Sequence, residues 1–211
     1  MQTAFKLKRL LMTKDIDLSA RIAFIREIDR LKGVYRQALV RDDNNRFENS
    51  AEHSWQITLA AIVLKDYAEQ RIDLIRVLHM LLIHDIVEID AGDTFAFVDD
   101  ALHAQQETVE LAAAERIFGL LPKQQYAQTL SLWKEFERCE TADAQFAKSI
   151  DRILPLIQNM QNQGGSWKRH NVAQSKVLKR NQYLQKSAPK LWQYVQAQVA
   201  LATQQGWLRE D

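Results

Sequence analysis

Between Leu74 and Ile83 the chain reads LIRVLHMLLI, ten residues that are apolar on nearly every face of a helix. Such a helix belongs in the middle of a bundle, with other elements around it. Its most apolar run, Val77–Ile83, is far too short to span a bilayer and runs straight into His84-Asp85. Helical spacing also dominates elsewhere. Ile22, Ile25, Ile28 and Leu31 form an amphipathic helix over Arg21–Leu31 that Gly33 closes. Val40–Phe47 (VRDDNNRF) reads as a polar loop. Asn49 and Glu52 form a capping box that opens a helix running to about Tyr67, and Asp73 caps the apolar helix, which ends near Gly92. A loop follows over Asp93–Asp100. Helices are then expected over Leu102–Leu120 and Lys123–Arg138, separated by Pro122. Thr141 caps a long helix from Ala142 to about Gln161, stopped by Gly164-Gly165. A loop around Ser166–Asn171, a helix near Val172–Tyr183 and a last helix from Pro189 to Gln205 complete the chain. No segment alternates apolar and polar residues for long, so no sheet of consequence is expected. The fold class is all-α.

With 211 residues, 46% of them hydrophobic and only 6 Gly and 3 Pro, the chain can bury a full core without disulfides. No repeat or long linker divides it. One domain over 1–211 is expected, its core at about 30–180 and a C-terminal helix at 189–205. A formal net charge of +1 points to neither a nucleic-acid polymer nor an anionic membrane as partner. The single Cys139 excludes an intramolecular disulfide and any cysteine-based zinc cluster, which suits a reducing cytosol. No signal peptide follows Met1, and the expected location is cytoplasmic.

The chemistry lies where the helical pattern contradicts itself. An apolar helix that suddenly carries His84, Asp85, Glu88, Asp90 and Asp93 breaks its own rule, and such breaks fall at functional sites. His84 and Glu88 are four apart and Asp85 and Glu88 three apart, so all three can face one cavity. Asp151 is a second contradiction, inside the core-type stretch Phe146–Ile157 (FAKSIDRILPLI). Pro155, four residues on, has no N–H for the Asp151 carbonyl, which opens the helix beside the carboxylate. An unpaired buried carboxylate is expensive, although Asp151 taken alone also fits a structural ion pair with Arg152 or a neighbour. His53 sits in the first turn of its helix. Imidazoles with carboxylates suit one divalent ion such as Mn²⁺, Co²⁺, Fe²⁺, Zn²⁺ or Mg²⁺. A lone histidine in an apolar helix is more often a hydrogen-bonded core residue than a ligand, and His79 is read that way. His103 and His170, in polar surroundings, are read as surface residues.

His53, then His84-Asp85, then Asp151, each on its own helix, resembles the HD superfamily of metal-dependent phosphohydrolases. The likeness runs from about Arg30 to Arg180. It rests on Glu48–Trp55 (ENSAEHSW), Leu81–Thr94 (LLIHDIVEIDAGDT), Leu132–Glu137 (LWKEFE) and Phe146–Arg152 (FAKSIDR). The chain is especially similar to the branch holding bacterial 5′-deoxynucleotidases and their eukaryotic relatives. The resemblance implies that His53, His84, Asp85 and Asp151 are the metal ligands. It makes Glu88 the catalytic glutamate and Asp93 an aspartate that contacts the substrate phosphate, with Thr94 next to it in the phosphate loop. Where the deoxynucleotidases carry an Arg-Trp pair, this chain has Arg36-Gln37 in a loop about two residues longer. Arg36 then contacts phosphate, with Arg152 as a second candidate, and Gln37 in place of Trp implies weak discrimination between ribo- and deoxyribonucleotides. Only His103 lies between the His-Asp pair and Asp151, so a single ion is favoured over the two-metal variants of the fold.

The implied activity is release of phosphate from nucleoside 5′-monophosphates, with Glu88 and Asp93 exchanging protons with the water and the leaving oxygen. Two alternatives stand beside it: an HD phosphohydrolase for another small phosphoester or a nucleoside triphosphate, and a non-catalytic metal-containing module that binds nucleotide. Retention of Glu88 and Asp93 disfavours the module, because a structural site needs only ligands. Relatives often form homodimers. The last helix, with Leu191, Trp192, Tyr194 and Val195, serves equally well as such an interface or as packing on the domain.

Overall fold

The computed structural model describes residues 2–97 and 100–211, without the side chains of 2–14 and 100–104. The reading of His103, and part of the Asp93–Asp100 loop, therefore lie outside the described residues. The first helix, α1 (Gln2–Ile28), begins well before the expected Arg21 and passes into a 3-10 turn at Asp29–Gly33. A hairpin follows, β1 (Tyr35–Val40) against β2 (Arg46–Asn49). Then come α2 (Ser50–Leu64), α3 (Leu74–Ile83), a 3-10 turn over His84–Val87 and the one-turn α4 (Glu88–Ala91). The remainder is α5 (Asp100–Phe118), α6 (Lys123–Arg138), α7 (Ala142–Gln161), α8 (Gly165–Arg169), α9 (Gln174–Asn181), α10 (Leu184–Ser187) and α11 (Pro189–Gln204). The fold is all-α apart from the hairpin. Where a loop was expected over Ser166–Asn171, α8 occupies most of it.

The caps expected from sequence are made. Asn49 Oδ1 accepts from Glu52 N at 3.0 Å while Glu52 Oε1 accepts from Asn49 N at 2.8 Å, which closes the capping box of α2. Asp73 and Thr141 accept from the backbone of Arg76 and Ala144 at the starts of α3 and α7. Gly92 ends α4 at φ +75°, a region open to glycine at little cost. Helix α7 runs on through Pro155.

At the centre stands α7, packed against α2, α3, α6, α10 and β1. The larger apolar core gathers Ile57 of α2, Met80 and Leu81 of α3, Phe146, Ile150, Ile153 and Leu156 of α7, and Val195 and Val199 of α11. A smaller one joins Leu31, Ile86, Val87, Ile117, Phe118 and Trp133. The buried residues of α11 thus pack on its own domain. In α3, Val77, Met80 and Leu81 are buried, but Ile75 and Leu82 face outward and His79 is exposed. Two expectations are corrected here: α3 is not enclosed on every side, and His79 is not a core histidine. Apolar composition alone does not enclose a helix, since much of any folded surface is apolar.

The polar loop expected over Val40–Phe47 is the turn of this hairpin at residues 41–45, with Val40, Arg46 and Phe47 drawn into its strands. Its turn holds Asn44 at φ +53° and Asn45 at φ +56°, a left-handed pair that asparagine tolerates and that matches the twist of a tight hairpin. Tyr35 pairs with Asn49 and Leu39 with Phe47, so four steps along β1 span two along β2. The resulting bulge contains Arg36 and Gln37, and bulges re-aim side chains beside active sites. Two short strands are too brief for alternation to show, which is why the pattern read as loop.

Asn49→Ala should lower the unfolding free energy by about 1 kcal/mol, the usual cost of losing a side-chain cap. Urea denaturation measures it, and Asn49→Ser should recover most of the loss. An unchanged midpoint would show that the capping box does not hold α2.

Candidate metal centre

Three separate segments deliver the central groups. His53 enters from the first turn of α2, just inside its capping box, and is fully buried. His84 and Asp85 come from the 3-10 turn that ends α3, and mid-sequence 3-10 turns often mark functional breaks. Asp151 comes from the middle of α7. Asp151 Oδ1 lies 3.1 Å from His53 Nε2 and 3.5 Å from His84 Nε2. A ligand atom from each of His53, His84 and Asp151 falls within 4.8 Å of the others. Asp85 stands beside this trio rather than inside it. Its Oδ1 is 2.9 Å from His84 Nε2, and its Oδ2 accepts from Arg36 Nη1 at 2.5 Å.

The surroundings fix how the imidazoles present themselves. Leu81 O lies 2.9 Å from His84 Nδ1 and can only accept, so Nδ1 carries the hydrogen. His84 Nε2 is left facing the oxygens of Asp85 and Asp151, buried and without a well-directed hydrogen bond. Trp133 Nε1 donates to His84 O at 3.2 Å and holds the turn from behind. On the far side of His53, Nδ1 lies 3.3 Å from Oε2 of Glu48, which is only 2% exposed. Gln158 Nε2 donates to Glu48 Oε1 at 2.5 Å. A carboxylate behind a ligating imidazole orients the ring and raises its basicity.

These residues fit a divalent cation. Glu48, Asp85, Glu88 and Asp93 converge on one guanidinium, Arg36, which bonds Asp85 and lies 3.5 to 3.8 Å from the other three, while Asp151 lies against the histidines. Buried negative charge in that excess calls for a positive partner. Burial opposes charge on Asp85, but His84 and Arg36 overcome it and hold its pKa down to about 2. Burial likewise opposes charge on Asp151, yet the two imidazoles beside it, His53 and His84, keep it well below the usual carboxylate range.

Glu88 and Asp93 behave in the opposite sense. Burial first, then Asp85 and Asp93, pushes Glu88 well above its ordinary value against the pull of Arg36. Burial also raises Asp93, with Arg36 opposing and Asp85 adding. Ser50 Oγ donates to Glu88 Oε2 at 2.5 Å. Carboxyl groups whose environments push their pKa values apart are what acid–base chemistry needs.

Arg36, His84, Asp85, Glu88, Asp93 and Asp151 line one cavity of about 380 Å³, together with Thr94, Arg152 and Arg180. A smaller one of about 80 Å³ shares Arg36, Asp93, Thr94, Arg152 and Arg180 and adds Gln37, Phe95, Phe97 and Trp167. The structure thus gathers all ten residues singled out from the sequence around two adjoining cavities, apart from the wholly buried His53 behind them. Gln37 is tied by its carbonyl to Arg169 Nη2 at 2.7 Å, with His170 Nε2 3.3 Å from its side chain. His170 itself is exposed, as expected. The reading missed Glu48, Ser50 and Arg180. Glu48 had a signal, being an acidic residue five positions before His53, but only the hairpin register turns it inward.

A helical bundle with a buried His/Asp centre opening into an acidic cavity defines the class. A model of the HD domain matches residues 28–192, and the chain belongs to that family. It is similar to a protein of Magnetospirillum magnetotacticum described as a predicted metal-dependent phosphohydrolase. That crystal structure is 46% identical over 91% of this chain and 95% of its own, with a TM-score of 0.85. The human 5′-deoxynucleotidase HDDC2 is 29% identical over 65% of each chain, and the Xenopus laevis protein of that name is 26% identical over 66% of this chain and 68% of its own. The chain thus spans about two thirds of the curated relatives it matches, just under that for the human one. An HD-domain phosphohydrolase of Listeria innocua, 17% identical with a TM-score of 0.56 over 84% of this chain and 83% of its own, shares the fold.

His84→Ala should abolish bound metal, because it removes a buried nitrogen for which no substitute stands nearby. His79→Ala should keep metal near stoichiometric. Elemental analysis of the two purified variants decides, and the reverse result would overturn the ligand assignment. Glu48→Gln should weaken metal binding by about 10- to 100-fold, the usual scale for losing the group behind a ligating histidine. Competition with a chelator of known affinity reads this directly, and unchanged affinity would reduce Glu48 to a packing role.

Proposed function

We propose that the protein is a metal-dependent phosphohydrolase that releases phosphate from nucleoside 5′-monophosphates. The observation that carries this reading is the pair Glu88 and Asp93. Neither belongs to the central trio, yet both line the cavity that the trio faces, and burial raises the pKa of each above its ordinary value. A site kept only for structure has no use for them. The names borne by the HDDC2 relatives support the nucleotide substrate.

His53, His84, Asp85 and Asp151 would hold the ion. When bound, it supplies charge stabilisation at the phosphoryl oxygens and a more acidic water. The chain's own groups do the proton work. Glu88, steadied by Ser50, orients the attacking water and accepts its proton as the new P–O bond forms. Asp93, whose burial raises its pKa above the ordinary value, gives a proton to the 5′-oxygen as the old P–O bond breaks. Exchange with solvent then restores both groups. Arg36 offsets the surrounding carboxylates so that an anionic substrate can approach, while Thr94 and Arg152 flank the phosphate. Gln37, at the smaller cavity, can donate and accept hydrogen bonds, so it tolerates a 2′-hydroxyl better than an aromatic ring does.

The same reading makes the protein a cytoplasmic homodimer. Cys139 is a free thiol, and no helix among the described residues is long and apolar enough to cross a membrane. Trp55, Leu59, Ile62 and Val63 form an exposed apolar stripe on α2 that two copies can share.

The test is phosphate release from paired ribo- and deoxyribonucleoside monophosphates, triphosphates and other small phosphoesters. Each of Mn²⁺, Co²⁺, Fe²⁺, Zn²⁺ and Mg²⁺ is added back after chelation. Monophosphates should be hydrolysed only with metal restored, with a ribo/deoxy ratio within about tenfold, the most that one hydrogen bond commonly gives. Glu88→Gln should keep its metal and lose about a hundredfold or more in turnover. Hydrolysis confined to triphosphates, or Glu88→Gln with full activity, would sink the reading.

A further inference from the structure

Three arginines line both cavities, and their guanidinium groups are not equally free. Arg36 is committed to carboxylates on every side. Arg152 donates from Nη1 to the carbonyl of Arg180 at 2.8 Å and lays its guanidinium over the Tyr183 ring, 4.5 Å from the centroid. Arg180, near the end of α9, is different. Among the described residues its guanidinium makes no ion pair and donates no hydrogen bond, although it forms part of the wall that the two cavities share.

A half-buried guanidinium without a fixed partner gains from meeting one, because burial has removed part of its water. Burial first, then the like charges of Arg152 and Arg36, draws its pKa down to about 10, against the pull of Asp151 and Asp93. The adjacent Asn181 anchors the end of α9 through Nδ2 to Val177 O at 2.9 Å. Its buried Oδ1 has no partner among the described residues, and it lines the smaller cavity. Two uncommitted polar groups of opposite hydrogen-bonding character thus line the smaller cavity, and Arg180 also lines the larger one. The one fits an anionic oxygen, the other a hydroxyl or amine.

We propose that Arg180 is the arginine that grips the substrate's phosphate, its planar fork bonding two phosphoryl oxygens while Arg36 stays with its carboxylates. This rests on the phosphohydrolase reading for the identity of the substrate, but the anion site stands apart from it. Guanidinium is suited to the task, since its paired N–H groups match the spacing of two phosphate oxygens, and lysine offers only a point charge.

The experiment uses the metal-loaded chain and its Arg180→Met and Arg180→Lys variants, with inorganic phosphate as the probe. Calorimetry gives the phosphate Kd, steady-state kinetics gives KM and kcat for a nucleoside monophosphate, and elemental analysis gives the metal content. Arg180→Met should weaken phosphate binding by about tenfold or more and raise KM, with metal content unchanged. Arg180→Lys should fall between the two, and added guanidinium ion should restore part of the affinity to Arg180→Met. Phosphate affinity unchanged in both variants overturns the proposal. If Arg180→Met fails to fold, Arg180→Lys decides alone: an unchanged Kd overturns the proposal and a raised one supports it. Phosphate bound through Arg180 by a chain that hydrolyses no nucleoside monophosphate would leave this inference standing and sink the function reading instead.

Discussion

Glu48, Asp85, Glu88, Asp93 and Asp151 converge on two imidazoles and one guanidinium, and the fold has to make that concentration of like charge tolerable. Two carboxylates 4 Å apart repel by about 4 kcal/mol at an effective dielectric of 20, so the full set cannot all be ionised and enclosed without help. The help takes three forms. Arg36 sits among four of the carboxylates, the cluster of His53, His84 and Asp151 could hold a cation, and Glu88 and Asp93 keep their protons to higher pH. The third is the useful one, because a carboxyl group that retains a proton can give it away. Crowding of charge is therefore the means by which the site sets its acid–base groups, as well as a cost to stability.

The elements that impose this crowding are ordinary. A capping box starts α2 so that His53 points inward at its first turn. The apolar helix α3 gives way to a 3-10 turn, which rotates His84 and Asp85 away from the direction a continued α-helix would give them. A bulged strand carries Arg36. Helix α7, through the middle of the molecule, sets Asp151 opposite both histidines. No large rearrangement is needed to bring them together.

Much of this was legible in the sequence because it breaks local pattern. A His-Asp pair at the end of an apolar helix, and an aspartate inside a core helix, are contradictions that composition cannot hide. Caps at Asn49, Asp73 and Thr141 were legible because they depend on side chains a few residues away. What escaped depends on register or on distant neighbours. The hairpin is two short strands whose identity lies in a left-handed Asn44-Asn45 turn. Glu48 faces His53 only because of the strand pairing. Arg180 is notable for what it does not touch, and no linear pattern records that. His79 was misjudged because Ile75, His79 and Leu82 share an apolar sequence but lie on a face left exposed among the described residues.

The residues that meet at the centre are far apart along the chain, with His53 and Asp151 separated by 98 positions. No unfolded chain holds them together, so an ion that binds there binds the folded form alone and stabilises it by mass action. At a hundred times its dissociation constant that amounts to about 2.7 kcal/mol, a large share of what holds a domain of this size together. The resistance of the molecule to heat and to proteases thereby becomes a gauge of ion supply. A cell short of the ion would hold less of this protein, because the unloaded chain opens more often and is cleared sooner.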